Sequence, residues 1–151
     1  MKAIELTRFG LENLRATRQP APQPRAGEVL VRIEAVSLNY LDLAIARGTY
    51  LPNLPLPLTP ASDGAGVVAG VGEGVSQWRE GDRVTVHYMQ DWVAGELTPE
   101  AQQSKVGQQR PGVLAQFVTI PAHGLVRTPG HLSSEQASTL PIAGLTAWVG
   151  L

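Results

Sequence analysis

Hydrophobic and polar residues along this chain follow two periods, separated by glycine and proline. Within AGEVLVRIEAVSLN, Val29, Val31, Ile33 and Ala35 share one face while Arg32 and Glu34 share the other. A period of two predicts a half-buried strand. KAIELT (Lys2–Thr7) and LRATRQP (Leu14–Pro20) predict two shorter strands around FGLEN. GAGVVAGVG, the RVTVHY that follows the turn EGD, LAQFVTIP and GLVRTP predict more. At Asn39 the period changes. NYLDLAIARG places Leu41, Ala44 and Ile45 at helical spacing and closes at Gly48, which predicts a helix of about two turns. The next ten residues, LPNLPLPLTP, carry four prolines and can be neither helix nor central strand. Pro52 and Pro55 have the spacing of a ligand for polyproline-binding modules. Without a low-complexity or charged flank, a rigid connecting loop is the expectation. Ser133 and Gln136 form a capping box that opens a short helix. Leu145, Trp148 and Val149 in GLTAWVGL begin an amphipathic helix with nothing after it to pack against, so the sequence is expected to be cut off within an element.

The stretch TPASDGAGVVAGVGEGV raises a sharper question. GAGVVA (64–69) fits the G-x-G-x-x-G/A dinucleotide fingerprint, with Asp82 at about the expected ~20-residue offset. That fingerprint works because a strand ends, a glycine turn follows, and a helix N-terminus points its amides at the pyrophosphate. Here the glycines lie within the strand pattern, and EGVSQWREGDRV continues with turns rather than a helical period. The expectation is a glycine-rich strand packed closely on its neighbour, not a cofactor cradle.

Composition narrows the classes. A chain of 151 residues with 43% hydrophobic content is expected to be one globular domain. Twelve basic and thirteen acidic residues give a net charge of −1 with no basic block, which argues against nucleic acid or an anionic membrane as partner. The apolar runs are shorter than a membrane span and MKAIELTRFG has no signal-peptide core, so a soluble, cytoplasmic protein is expected. Sixteen glycines and twelve prolines predict many turns and few long helices. There is no cysteine. Any metal would depend on His87, His123, His131 and carboxylates, and no H-x-x-x-H pair exists; no metal site is expected.

In order and spacing, AGEVLVRIEAVSLNYLDLAIARGTY, LPLTPASDGAGVVAGVGEGVSQWREGDRV and GVLAQFVTIPAHGLVRTPGHLSSEQASTLPIAGLTAWVGL resemble the N-terminal, GroES-like domain of the medium-chain dehydrogenase/reductase superfamily. The resemblance covers essentially the whole chain. It implies a mainly β fold with short helices, a partly open β-barrel. It also implies a downstream Rossmann domain that the chain lacks, with residues 143–151 starting the helix that leads to it. Zinc-dependent members carry Cys where this chain has Asn39, His-Glu where it has Ser62-Asp63, and a hydroxyl relay where it has Leu41; Asp42 is kept. The lobe that normally holds a structural zinc falls on the polar segment Met89–Gly112. The pattern is similar to zinc-lacking quinone oxidoreductases and zinc-independent alcohol dehydrogenase-like reductases.

The resemblance implies an NAD(P)H-dependent oxidoreductase, using NADPH or NADH, that acts on a small-molecule substrate as a homodimer. Without zinc to polarise a carbonyl, hydride transfer needs an acceptor that delocalises charge, or hydrogen-bond donors aimed at its oxygen. Quinones, enones and activated carbonyls meet that need. Asn39, Tyr40, Asp42 and Tyr50 are candidates for the pocket. Asn39 can donate an amide N–H to substrate or nicotinamide, and Tyr50 offers a phenol. Asn39 and Asp42 equally fit a capping box, and Tyr50 equally fits a turn residue covering the core edge. Ser62 and Asp63, between proline and glycine, read as an ordinary turn; the resemblance makes them candidates for substrate contact. Thr146 matches a position that touches the nicotinamide. His87 and Trp92 are second-rank candidates for the cleft border. The alternative is a non-catalytic GroES-like binding or self-association module, which should end in a proper cap rather than in GLTAWVGL.

Overall fold

The computed structural model describes residues Met1–Leu151. Seven strands form: β1 (Lys2–Leu6), β2 (Leu14–Arg18), β3 (Glu28–Ser37), β4 (Asp63–Val71), β5 (Arg83–Val86), β6 (Phe117–Pro121) and β7 (Leu125–Arg127). The helices are short: α1 (Tyr40–Ala46), α2 (Pro99–Gln102), α3 (Ser134–Ser138) and α4 (Leu145–Gly150), with a π-helical turn at Leu140–Gly144 between the last two. None is long and apolar enough to cross a membrane.

β1 and β2 pair as a separate antiparallel hairpin, and the other five strands form one antiparallel sheet in the order β6-β3-β4-β5-β7. The two edge strands of that sheet are consecutive in the chain, joined by the three-residue turn Ala122–Gly124. So short a link brings the edges face to face. The sheet is therefore curled into a partly open barrel. Its core comprises Val29 and Val31 of β3, Val68 of β4, Val84 and Val86 of β5, Ile120 of β6, and Trp78, Val106 and Val113 from loops. Each such side chain contributes roughly 1.5–3 kcal/mol on burial. The indole of Trp78 donates to the Ala122 carbonyl at 2.7 Å, tying the Gly72–Gly81 connection to the turn between the edges.

The glycine-rich stretch is strand β4. Its pairing with β3 shifts register between Leu30 and Val31 and again between Ile33 and Ala35. At the second irregularity, a Cβ on Gly66 would sit 2.1 Å from the Arg32 carbonyl oxygen; on Gly64 it would press into Val113. These glycines let β3 and Val113 approach β4 closely, and they lie within a strand rather than at a helix N-terminus. The same irregularities explain why Ile33 and Ala35 are only half-buried although Val29 and Val31 on the same face are fully buried.

α1 is held at its far end by a second, smaller core in which Ile45 packs on Leu54 and Leu58, flanked by Phe9, Leu41 and Leu51. Leu58 also bridges Leu6 of β1. The proline-rich loop is thus pinned at both ends without regular structure. The polar segment is folded rather than a mere interruption: Thr98 caps α2, and Gln90, Ser104, Val106 and Gln108 are buried. Its end lies against the residues before β4, where Gly112 N–H donates to Thr59 and Val113 N–H to Ala61.

Candidate functional site

The end of β3, the first turn of α1 and the start of β4 meet at one corner of the barrel. The reading of Ser62 and Asp63 as a turn holds for Ser62, which lies in a bend, and is corrected for Asp63. Asp63 opens β4 opposite Ser37, and both Ser62 and Asp63 are fully buried. The turn is made one residue earlier by Ala61, whose φ of +70° is rare for a residue with a side chain. Gly107 and Gly112 leave the space in which the Ala61 and Pro60 carbonyls lie, so the lobe fixes this backbone in place.

Four polar side chains then interlock. Asn39 N-caps α1 in a capping box with Asp42, its main-chain N–H donating to Asp42 Oδ2 at 2.7 Å. Its side-chain Nδ2 donates to Asp63 Oδ2 at 3.0 Å. Ser62 Oγ lies 3.4 Å from Asp42 Oδ1. Asp63 Oδ2 also accepts from the Ile142 N–H at 3.3 Å, which joins the π-helical turn to the cluster. Asp63 Oδ1 is buried without a hydrogen-bond partner.

The electrostatics follow from burial. Desolvation pushes the Asp63 carboxyl up to about 6; the Asn39 amide and Ile142 N–H oppose the rise, and the neighbouring Asp42 charge adds to it. Asp42 is raised for the same first reason and is held back by the Asn39 and Ser62 bonds. Tyr88, just past β5, has its phenol pushed up to about 12, chiefly by burial; Tyr50, Asp42 and Asp63 are close enough to contribute. Gln108 Nε2 donates to the Tyr88 oxygen.

The structure therefore brings Asn39, Asp42, Ser62 and Asp63 together, with Tyr50 within electrostatic reach of Tyr88. Tyr40 is 80% exposed on the outer side of α1, and Tyr50 is half exposed at the loop that follows it. Thr146 is exposed on α4, one turn beyond Ile142. His87 Nδ1 is engaged by the Met89 carbonyl at 2.7 Å, and Trp92 by that of Gly95 at 3.1 Å on an exposed loop. Tyr88 and Gln108 were not singled out by the sequence reading. A signal existed for Tyr88, which continues the parity of buried Val84 and Val86. A largely apolar groove of about 530 Å³ between the β1–β2 hairpin and β3 contains none of these residues. Hydrogen-bonding chemistry belongs to the cluster, not to that groove.

The donor set does not fit zinc, which takes thiolate, imidazole and carboxylate ligands in a tetrahedral site. Here Asn39 and Ser62 are committed to hydrogen bonds, two carboxylates stand alone, and nowhere do three His, Cys, Asp or Glu side chains converge. The residues do not cradle a dinucleotide pyrophosphate either, because the glycines of 64–69 are in the sheet and packed against Arg32 and Val113.

Known proteins match this chain over nearly its whole length. A zinc-type alcohol dehydrogenase-like protein of Schizosaccharomyces pombe is 42% identical over 94% of this chain and 41% of its own length. A chloroplastic quinone-oxidoreductase of Triphysaria versicolor is 33% identical over 100% of this chain and 42% of its own. The chain thus spans less than half the length of these curated relatives. The cobalt- and zinc-bound thermostable alcohol dehydrogenase from Pyrobaculum aerophilum superposes with a TM-score of 0.87 and 31% identity, over 98% of this chain and 46% of that one. Residues 25–130 match the alcohol dehydrogenase GroES-like domain. Barrel and matches agree: the chain belongs to the alcohol dehydrogenase GroES-like domain family.

Proposed function

We propose that this chain is the substrate-facing part of an NAD(P)H-dependent oxidoreductase that reduces a quinone, enone or activated carbonyl without zinc. The observation that carries the proposal is the hydrogen-bonded Asn39–Asp63 and Ser62–Asp42 pairing at the positions where zinc-dependent relatives of the resemblance hold metal. The nicotinamide, when bound, supplies the hydride. The chain's own residues supply orientation and hydrogen bonds. Asp63 fixes the Asn39 amide by accepting one of its two hydrogens, which leaves the other for a substrate oxygen or for the carboxamide. Asp42 fixes the Asn39 main chain and the first turn of α1. Tyr50 and Tyr40 offer phenols along the exposed lip, and Thr146 offers a hydroxyl from α4. Donors aimed at an oxygen that gains charge stabilise it without a metal, at roughly 3–4 kcal/mol per good donor. Charge spread over a quinone or enone needs fewer such donors than a simple ketone. A small-molecule substrate, a homodimer and a cytoplasmic setting belong to the same proposal.

The test uses the whole protein, before and after chelator treatment, with reduced nicotinamide absorbance followed against quinones, enones, simple ketones and alcohols. Turnover on quinones or enones that survives chelation is the expected result. Activity abolished by chelation and restored by zinc, or confined to simple alcohols, would refute the zinc-free reading.

A further inference from the structure

We infer that Tyr88 is a substrate-contacting hydrogen-bond donor of this site, with Gln108 as its positioning residue; the inference rests on the oxidoreductase reading above. Three tyrosines occur in the chain, and only Tyr88 has a phenol that is both sheltered and held by another side chain. Tyr40 points its ring largely into solvent and Tyr50 exposes about half of its own. A flexible, wet phenol loses entropy and water when it binds an oxygen, whereas a fixed one has already met those costs.

The holding device is built from the lobe. Val106 N–H donates to the Tyr88 carbonyl at 3.0 Å, so the lobe's returning segment runs beside Tyr88. Two residues on, Gln108 is 3% exposed and donates its Nε2–H to the Tyr88 oxygen. Between them Gly107, at φ +74°, lies against the Ala61 carbonyl and Ser62 Oγ, with no room there for a Cβ. Tyr88 and Gln108 are thereby fixed to the backbone that carries Ser62 and Asp63.

Hydrogen-bond accounting gives the direction of donation. The Tyr88 oxygen accepts from Gln108, and its own hydrogen has no acceptor within the protein. That hydrogen is free for a ligand oxygen. Burial, with Asp42, Asp63 and Tyr50 nearby, keeps the phenol protonated up to about 12, so Tyr88 serves as a donor throughout the neutral range rather than as an acid that empties. The bond received from Gln108 polarises the O–H and strengthens the bond it gives. The lobe, which has no cysteine ligands here, acquires a role in the reaction through these two residues.

The test is made in the whole protein with NADPH or NADH and its best quinone or enone. Tyr88→Phe is expected to lower kcat roughly 10²–10³-fold, as for loss of one oxyanion donor, with cofactor affinity unchanged. Gln108→Leu is expected to lower kcat by a smaller factor. Mono- and difluorotyrosine at position 88 keep the ring's size while making the phenol more acidic. A kcat that changes progressively with phenol acidity supports donation to the substrate and would not arise from packing alone. If the wild-type protein turns over and both Tyr88→Phe and the fluorotyrosine variants keep its kcat, the role of Tyr88 is refuted while the oxidoreductase reading stands. If the wild-type protein reduces no quinone, enone or carbonyl with either cofactor, the oxidoreductase reading is refuted, and the role of Tyr88 with it.

Discussion

Replacing Asn39 with Asp distinguishes a mere helix cap from a residue that also neutralises a buried charge. Both side chains cap α1, so a cap alone predicts little change in stability. In the structure, however, the Asn39 amide nitrogen lies 3.0 Å from Asp63 Oδ2. The substitution puts carboxylate against carboxylate. With charge centres about 4 Å apart at an effective dielectric of about 20, the repulsion is about 4 kcal/mol. Asp63 already titrates at about 6, so this repulsion carries the pair's last ionisation well above neutrality. The folded variant then keeps a proton that the unfolded chain has lost. By linkage its stability falls as pH rises, by about 1.4 kcal/mol per pH unit, or roughly 3 kcal/mol from pH ~6.5 to ~8.5. In the wild type Asp63 is mostly ionised over that range, and its contribution is nearly flat. Urea denaturation of both proteins at several pH values measures the difference. Parallel pH profiles for the two proteins would show that Asn39 and Asp63 do not interact, and would leave Asn39 as a cap. The alanine variant is a comparison: it loses the cap and the bond that holds the Asp63 carboxyl down, so its stability should also fall with rising pH near neutrality, but less steeply than the Asp variant's, which adds a second carboxylate.

The wild-type protein should itself become less stable as pH rises from about 4 through about 6. Asp63 holds a proton in the folded state there that the unfolded chain, at 3.8, has lost; above that window its burial costs about 3 kcal/mol. Asp63→Asn should remove the Asp63 part of this slope in the same denaturation series, leaving the part owed to Asp42, which burial also raises. Gly66→Ala should cost about 1–3 kcal/mol or more by thermal melting, because its Cβ would meet the Arg32 carbonyl oxygen, and cofactor affinity of the surviving folded protein should not change. Gly74→Ala, with open space around it and a φ of +78°, should cost roughly 1–2 kcal/mol. Trp78→Phe should cost about 1–3 kcal/mol, read as a lowered urea midpoint, because the buried Ala122 carbonyl loses its donor.

What could be read in the sequence was what local periodicity encodes. The alternation of Val29 and Val31, the helix after Asn39, the caps at Asn39 and Ser133, and the strand character of the glycine stretch all depend on neighbours within a few residues. The cluster was only partly legible. Asn39 and Asp42 are three apart and share a capping box, but the partnership of Asn39 with Asp63 spans 24 residues and has no local pattern. Asp63 was misread because a polar pair between proline and glycine has the composition of a turn, whereas Ala61 takes the unusual backbone and leaves Asp63 to begin a strand. The lobe hid its order for another reason. Its buried positions include Gln90, Ser104 and Gln108, and polar burial leaves no hydrophobic period to detect.

The three-residue turn that brings β6 and β7 together also bears on how copies of the protein avoid one another. An open five-stranded sheet would present two rows of unsatisfied main-chain amides and carbonyls, a template for intermolecular strand addition and fibrous aggregation. In this barrel one such row belongs to β7, only three residues long, and faces the other across the seam. The chain entering β6 is further covered by β1, through Ile4 N–H to Leu114 and Gln116 N–H to Lys2. Little free edge remains for a second copy to extend.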